Sequence, residues 1–261
     1  LGQQQVDHDP AERGDVKMQL EIVTHCWRYW RALTYQISSL ILHPPVHSDV
    51  LLTVFCSPEE DENTAKRLEQ IAGWDLPTNI SYRVWTLPRG ELCRRAIGRN
   101  MAAQSTAADV VWFIDCDMTL GDGAVDALAS QVWSQPEGVL FYPRWVQVPE
   151  QKRGDKILMA ATEVDGPCEV DQTGFMRKRY NRAIGGVQIV DGDCCRAVGY
   201  LPDSKKYQRP AEEWARTFED RAYRGWLDKQ YGSGRGRRLE LPEVCRIRHT
   251  QRGRFDRGLE L

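Results

Sequence analysis

The sequence predicts an α/β fold built on a doubly wound, mostly parallel sheet with helices on both faces. Three observations predict it. Short apolar runs alternate with helical stripes as far as residue 142. One of those runs, Asp109–Ile114, is apolar enough to sit at the centre of a sheet. The 261 residues suffice for one large domain.

The elements follow in order. Leu20–Thr24 reads as a buried strand. In Arg31–Leu42, residues Leu33, Ile37, Leu40 and Ile41 share one helical face, and His43-Pro44-Pro45 stops the helix. Val50–Phe55 is β-branched and aromatic, hence a second strand. Ser57-Pro58-Glu59-Glu60 reads as the cap and acidic first turn of a helix ending near Ala72. Tyr82–Trp85 is a third strand, Glu91–Thr106 a helix and Asp109–Ile114 a fourth strand. Val125, Leu128, Ala129, Val132 and Trp133 form a helical stripe, and Gly138–Tyr142 is a fifth strand. Beyond it, 145–182 predicts loops and short strands, Val187–Val190 a strand, and Glu212–Trp226 a helix striped by Trp214, Phe218 and Ala222.

The division expected is a loose tail at 1–17 and one domain at 18–261. Its first half (18–142) holds the site for a bound ligand and its second half (143–261) completes it. The net charge of −2 conceals an uneven distribution. The first fifteen residues carry four acids against one base, whereas 232–257 holds eight arginines against three acids. That basic, glycine-spaced segment reads as mobile: a lid over a ligand, a nucleic-acid contact or simply a solvated tail. No apolar run reaches the eighteen residues of a membrane helix, and no basic-then-apolar leader opens the chain. Eight cysteines without a Cys-x-x-Cys pair suit a reduced, cytoplasmic protein and no zinc site.

Val111-Trp112-Phe113-Ile114-Asp115-Cys116-Asp117 carries the strongest chemical signal. Two carboxylates ending a buried strand are delivered into the crevice where such sheets bind ligands. They repel unless a cation lies between them, and carboxylate oxygens suit Mg²⁺ or Mn²⁺ shared with substrate phosphates. The bland alternative is a strand end with surface acids.

With Arg99-Asn100-Met101-Ala102-Ala103 ahead of it, this segment resembles the core of family 2 glycosyltransferases, which have the GT-A (nucleotide-diphospho-sugar transferase-like) fold. The resemblance implies a nucleotide-diphosphate sugar as donor, a UDP-sugar foremost. It implies Asp117 as direct metal ligand, Asp115 on the ribose or the metal, and Arg99 reaching toward the nucleotide. Thr24 and His25 stand where the family begins to contact the nucleotide, and Trp27 and Tyr29 suit stacking on a base or packing in the core.

Phe218-Glu219-Asp220, after Gly185-Gly186-Val187-Gln188-Ile189-Val190, resembles the family's Glu-Asp pair. The resemblance implies Asp220 as the general base that deprotonates an acceptor hydroxyl, with Glu219 positioning the acceptor and inversion at the anomeric carbon. The alternative is a solvated pair between Asp220 and Arg224. Gln251-Arg252-Gly253-Arg254-Phe255 resembles the Gln-x-x-Arg-Trp string of processive members, with Phe for Trp. It places Arg252 and Arg254 beside a diphosphate leaving group. The family's late histidine makes His249 a candidate third metal ligand.

The pattern departs after the second strand, where Phe55-Cys56-Ser57-Pro58-Glu59-Glu60 lacks the family's base-reading acids. The acceptor expected is a hydroxyl on a glycan, lipid, protein or nucleic acid, shaped by 145–182 and the basic end. Asp191-Gly192-Asp193 either faces the acceptor or, the favoured reading, ends its strand.

Two other classes compete. Asp115-Cys116-Asp117-Met118-Thr119-Leu120 also fits haloacid-dehalogenase-like phosphatases, with Asp115 as nucleophile, Asp117 as acid and Mg²⁺ assisting. That motif normally ends a first strand, not a fourth. The third class is a non-catalytic nucleotide-sugar or nucleic-acid binding module, which has little use for a base at Asp220.

Overall fold

The computed structural model describes residues 17–214 and 217–250. The order is β1 (Met18–His25), α1 (Trp30–Leu42), β2 (Ser48–Cys56), α2 (Glu62–Ala72), β3 (Ile80–Thr86), α3 (Arg89–Leu92), α4 (Arg95–Ser105), β4 (Val110–Ile114), β5 (Met118–Leu120) and α5 (Ala124–Trp133). Then come β6 (Leu140–Pro143), β7 (Trp145–Val148), α6 (Gln151–Ala160), a 3₁₀ turn (Ala161–Glu163), β8 (Met176–Arg179), β9 (Val187–Asp191) and α7 (Gly192–Val198). The last elements are α8 (Lys205–Gln208), α9 (Glu219–Tyr231), β10 (Arg237–Leu239) and β11 (Val244–Arg246).

The main sheet has seven strands in the order β10-β6-β9-β4-β1-β2-β3. All neighbours run parallel except β9, which is antiparallel to β4 and β6. From β1 the chain steps outward to β2 and β3, then returns to the other side of β1 as β4. The crevice of a doubly wound sheet opens at that reversal, at the strands' carboxyl ends. The register Val23↔Phe113 brings His25 level with Asp115 there.

Both faces of the centre are covered, since every residue of β4 is buried. Phe113 meets Tyr223 of α9, and Gly98 of α4 lies against His25 and Phe55. α4 also packs on α7. α1, α2 and α5 bury further apolar residues in the same core. Glu21, a charge inside β1, is 1% exposed. It accepts from Thr53 Oγ1 at 2.6 Å and Arg83 Nη2 at 2.7 Å, which satisfies the buried carboxylate.

A second sheet, β5-β11-β7-β8, stands beside the first. β11 pairs antiparallel with β5, Arg246↔Met118, so the chain's late basic segment folds back onto the strand after Asp117.

Several boundaries differ from expectation. α2 is capped by Asp61, whose carboxylate accepts from Thr64 N at 3.2 Å; Ser57 is not the cap. The expected Glu91–Thr106 helix breaks at Cys93-Arg94, so α4 starts on Arg95. The late helix begins at Glu219, not Glu212, because Phe218 takes a left-handed φ of 58°. Residues 145–182 contain α6 as well as strands. The basic segment is built into both sheets through β10 and β11 rather than free as a lid as far as 250. Asp191 ends β9 and caps α7 by accepting from Cys194 N at 2.8 Å, as a strand terminator. All eight cysteines are free thiols. The tail (1–16) and the Gln251–Phe255 string, with Arg252 and Arg254, lie outside the described residues.

Candidate active site

A cleft of about 650 Å³ opens at the carboxyl ends of β1 and β4. His25, Trp27, Asp115 and Asp117 line it from the first half, and Glu219, Asp220, Arg246 and His249 from the second. The acids named from sequence therefore share one cavity.

Asp115 is held on both oxygens. Oδ1 accepts from Arg95 Nη1 at 2.6 Å and Oδ2 from Arg246 Nη2 at 3.2 Å, with Arg99 Nη2 3.8 Å from Oδ1. Burial alone would raise its pKa; Arg95, Arg246 and Arg99 outweigh it and hold the group below the usual carboxylate range. A carboxylate so occupied is a poor nucleophile, which weighs against the phosphatase reading.

Asp117 differs. Its Oδ2 accepts from Arg246 Nε at 3.0 Å, while Oδ1 is buried and finds no hydrogen-bond partner among the described residues. Burial pushes its pKa up, and neighbouring Asp115 adds to that against the pull of Arg246 and His249. A buried anionic oxygen without a partner is costly and suits a cation. Among the described residues no group of three or more His, Cys, Asp and Glu could hold a metal. Mg²⁺ and Mn²⁺, however, take one or two protein donors and complete their shell with water and phosphate oxygens. Asp117 and His249 fit that incomplete set. Asp115 does not fit as a ligand, because arginines occupy its oxygens.

His25 is 6% exposed, stacks on Phe55 at 4.9 Å and meets Trp214 edge-on at 6.5 Å. Neither ring nitrogen has a hydrogen-bond partner among the described residues. Burial, then Arg99 and Arg95, push its pKa well below the ordinary value, so the ring is neutral. Thr24 is fully buried, outside the cleft lining. Arg99 is also fully buried, donating to Tyr200 Oη at 3.0 Å, and sits behind Asp115 rather than at the cleft surface. Arg95, one turn earlier, reaches the cleft instead. It falls in none of the motifs read from the sequence; it opens α4, just after the break at Cys93-Arg94.

Across the cleft, Asp220 Oδ2 accepts from Gly185 N at 3.0 Å, and Gln188 Nε2 donates to the Asp220 carbonyl at 3.0 Å. Arg224 donates to the Ala183 carbonyl at 2.6 Å, not to Asp220. Glu219 is 3% exposed; Oε1 accepts from Arg95 Nε at 3.2 Å and Oε2 from Thr217 Oγ1 at 2.9 Å. Its carboxylate is thus engaged with the protein. Arg246, a central cation of the site, was visible in the sequence only as one of a run of arginines. Its placement depends on β11 pairing with β5, which no local pattern announces.

No protein-family model matches the sequence, and no curated protein matches it. Solved structures do. S. aureus TarS 1-349 in complex with UDP-GlcNAc matches with a TM-score of 0.56 and 13% identity, over 94% of this chain and 62% of that one. The mannosyltransferase PcManGT from Pyrobaculum calidifontis, in complex with GDP-Man and Mn²⁺, matches at 0.52 and 12% identity, over 88% and 56%. The chain has a GT-A-like glycosyltransferase fold. At such identities the likeness is one of fold alone. The chain also spans less than two thirds of the structures it matches, 60% of TarS 1-349 without ligand. Among the described residues no helix is long and apolar enough to cross a membrane.

Proposed function

We propose that this chain transfers a sugar from a nucleotide-diphosphate sugar to an acceptor hydroxyl by a single, inverting displacement. One observation carries the reading: a strand-end pair, Asp115 and Asp117, faces a helix-start carboxylate, Asp220, across one cleft of about 650 Å³. The fold likeness to structures holding UDP-GlcNAc and GDP-Man supports it.

In this reading the first half binds the donor and the second half the acceptor. His25 and Trp27 border the nucleotide, with UDP the first choice. A divalent cation, when bound, would offset charge on the diphosphate, and Asp117 and His249 would hold it. Arg95 and Arg246 fix Asp115, and face the departing diphosphate with positive charge. Asp220, oriented by the Gly185 amide, takes the proton of the acceptor hydroxyl as that oxygen attacks the anomeric carbon. Glu219 acts through Arg95 and Thr217 rather than on the acceptor itself. Arg252 and Arg254 are proposed beside the diphosphate on the sequence resemblance alone.

The test is to incubate the protein with Mn²⁺ and a panel of UDP- and GDP-sugars and measure released nucleoside diphosphate. Slow hydrolysis of one donor, lost on chelation with EDTA, is expected. Phosphate release from simple phosphomonoesters with none from nucleotide-sugars would overturn the reading in favour of a phosphatase.

A further inference from the structure

We propose that Arg246, which bridges Asp115 and Asp117, is a built-in counter-cation that keeps a bare divalent metal off Asp117 until a nucleotide diphosphate brings the metal in. The inference rests on the nucleotide-sugar reading and adds a role for a residue outside its sequence motifs.

The geometry is a bridge. One guanidinium donates through Nε to Asp117 Oδ2 at 3.0 Å and through Nη2 to Asp115 Oδ2 at 3.2 Å. Two carboxylates one residue apart ordinarily need a cation between them, and this chain supplies one from its own side chains. The planar fork of arginine, with donors pointing two ways, suits the span better than the point charge of lysine.

The bridge is anchored. Arg246 pairs with Met118 in the β5–β11 ladder, and Ile247 N donates to the Asp117 carbonyl at 2.8 Å. The strand bearing the arginine is therefore stitched to the segment bearing the acids. Its side chain can turn, but its Cα cannot drift away.

Charge balance gives the consequence. Around the pair stand the guanidiniums of Arg95, Arg99 and Arg246 and the carboxylates of Asp115, Asp117 and Glu219. Three positive groups meet three negative ones, and Asp220, which lines the same cleft, is offset by Lys178 and Arg248, so the cleft holds no excess of negative charge as it stands. A bare dication entering a part-buried cleft without excess negative charge loses hydration and gains little attraction. A diphosphate supplies both the missing negative charge and the missing oxygen donors. Asp117 Oδ1, the one oxygen of the pair without a hydrogen bond among the described residues, stays open for that combined arrival.

The experiment titrates Mn²⁺ into the purified protein and reads free Mn²⁺ by electron paramagnetic resonance, with and without UDP or GDP. Wild type is expected to take up Mn²⁺ only with a nucleotide present. Arg246→Gln removes one positive charge and is expected to bind Mn²⁺ without nucleotide at least about tenfold more tightly than wild type. Arg246→Lys keeps the charge and should retain the nucleotide requirement, and thermal melts establish that each variant is folded. The proposal is overturned if wild type binds Mn²⁺ alone as tightly as Arg246→Gln. It is equally overturned if folded Arg246→Gln still requires nucleotide. Failure of both nucleotides to recruit Mn²⁺ to wild type would remove the nucleotide-sugar reading as well, whereas the other two failures leave that reading standing.

Discussion

Arg95, at the start of α4, donates through Nε to Glu219 Oε1, at the start of α9, at 3.2 Å. The other end of the same guanidinium holds Asp115 at 2.6 Å. One side chain thus ties the two sides of the cleft together. Arg95→Met should take the shared cation from two part-buried carboxylates, leaving Asp115 to Arg246 and Arg99 and Glu219 to Thr217. Breaking such a pair by removing one partner costs about 3 kcal/mol. Thermal or urea denaturation reads the loss. Arg95→Lys should recover only part of it, because an ammonium cannot hold two carboxylates in a fixed fork. A melting temperature unchanged in Arg95→Met would show that the bridge does not couple the halves.

Asp220→Asn is expected to lower transfer by about 10²- to 10⁴-fold, the usual range for loss of a positioned base. The amide oxygen can still accept from Gly185 N, so fold and nucleotide affinity should persist. Isothermal titration with UDP and Mn²⁺ separates binding from turnover. Near-wild-type turnover in this variant would refute the base assignment. Arg224→Ala serves as contrast, since its guanidinium bonds the Ala183 carbonyl and not Asp220. It should disturb the loop without abolishing the proton transfer.

The framework from β1 to β4 is legible because its signals are local. Val110–Ile114 is apolar over its whole length and ends in two acids, so one window of sequence places both the strand and the charges. The Glu-Asp pair at 219–220 carries the resemblance, yet its helix starts seven residues later than the stripe of Trp214, Phe218 and Ala222 predicts. Nothing in the Trp214, Phe218 and Ala222 spacing shows that Phe218 adopts a left-handed φ of 58°. The arginines were hardest to read. Arg99 carries the recognisable Arg-Asn pattern yet lies buried on Tyr200, while Arg95 and Arg246 do the contacting. Their roles come from a helix break and from a pairing across more than a hundred residues. Neither leaves a periodic trace.

His25 predicts a specific acid sensitivity. Its folded pKa lies well below 6.5, because burial and then Arg99 and Arg95 disfavour the charged ring. The unfolded chain therefore binds a proton that the folded chain refuses. The stability associated with His25 is fully present above the unfolded pKa and declines as pH falls below it. Stability should therefore be lower at pH 5 than at pH 7. Urea unfolding at pH 7 and pH 5 measures it. His25→Asn, which does not titrate, should lose that part of the pH dependence. An equal slope in both proteins would place the effect elsewhere.

Gly186 offers a way to move Asp115 without touching a charge. A Cβ there would lie 2.7 Å from both Asp115 Cγ and Asp115 N. The backbone nitrogen cannot rotate aside as a flexible side chain would, so Gly186→Ala must displace either β4's end or the turn before β9. Overpacking of this kind costs about 1–3 kcal/mol. Since Asp115 is held by three arginines from α4 and β11, a shift of its backbone should misalign the whole cluster. Nucleotide affinity should fall by about tenfold or more, beyond what the loss of stability explains. Gly166→Ala is the control, because a Cβ there meets nothing within 4 Å. Binding of UDP with Mn²⁺ by calorimetry, beside a melting curve for each variant, separates the two effects. If Gly186→Ala bound nucleotide like Gly166→Ala, the arginine cluster would have to tolerate displacement of Asp115, and its part in holding the donor would fall with that result.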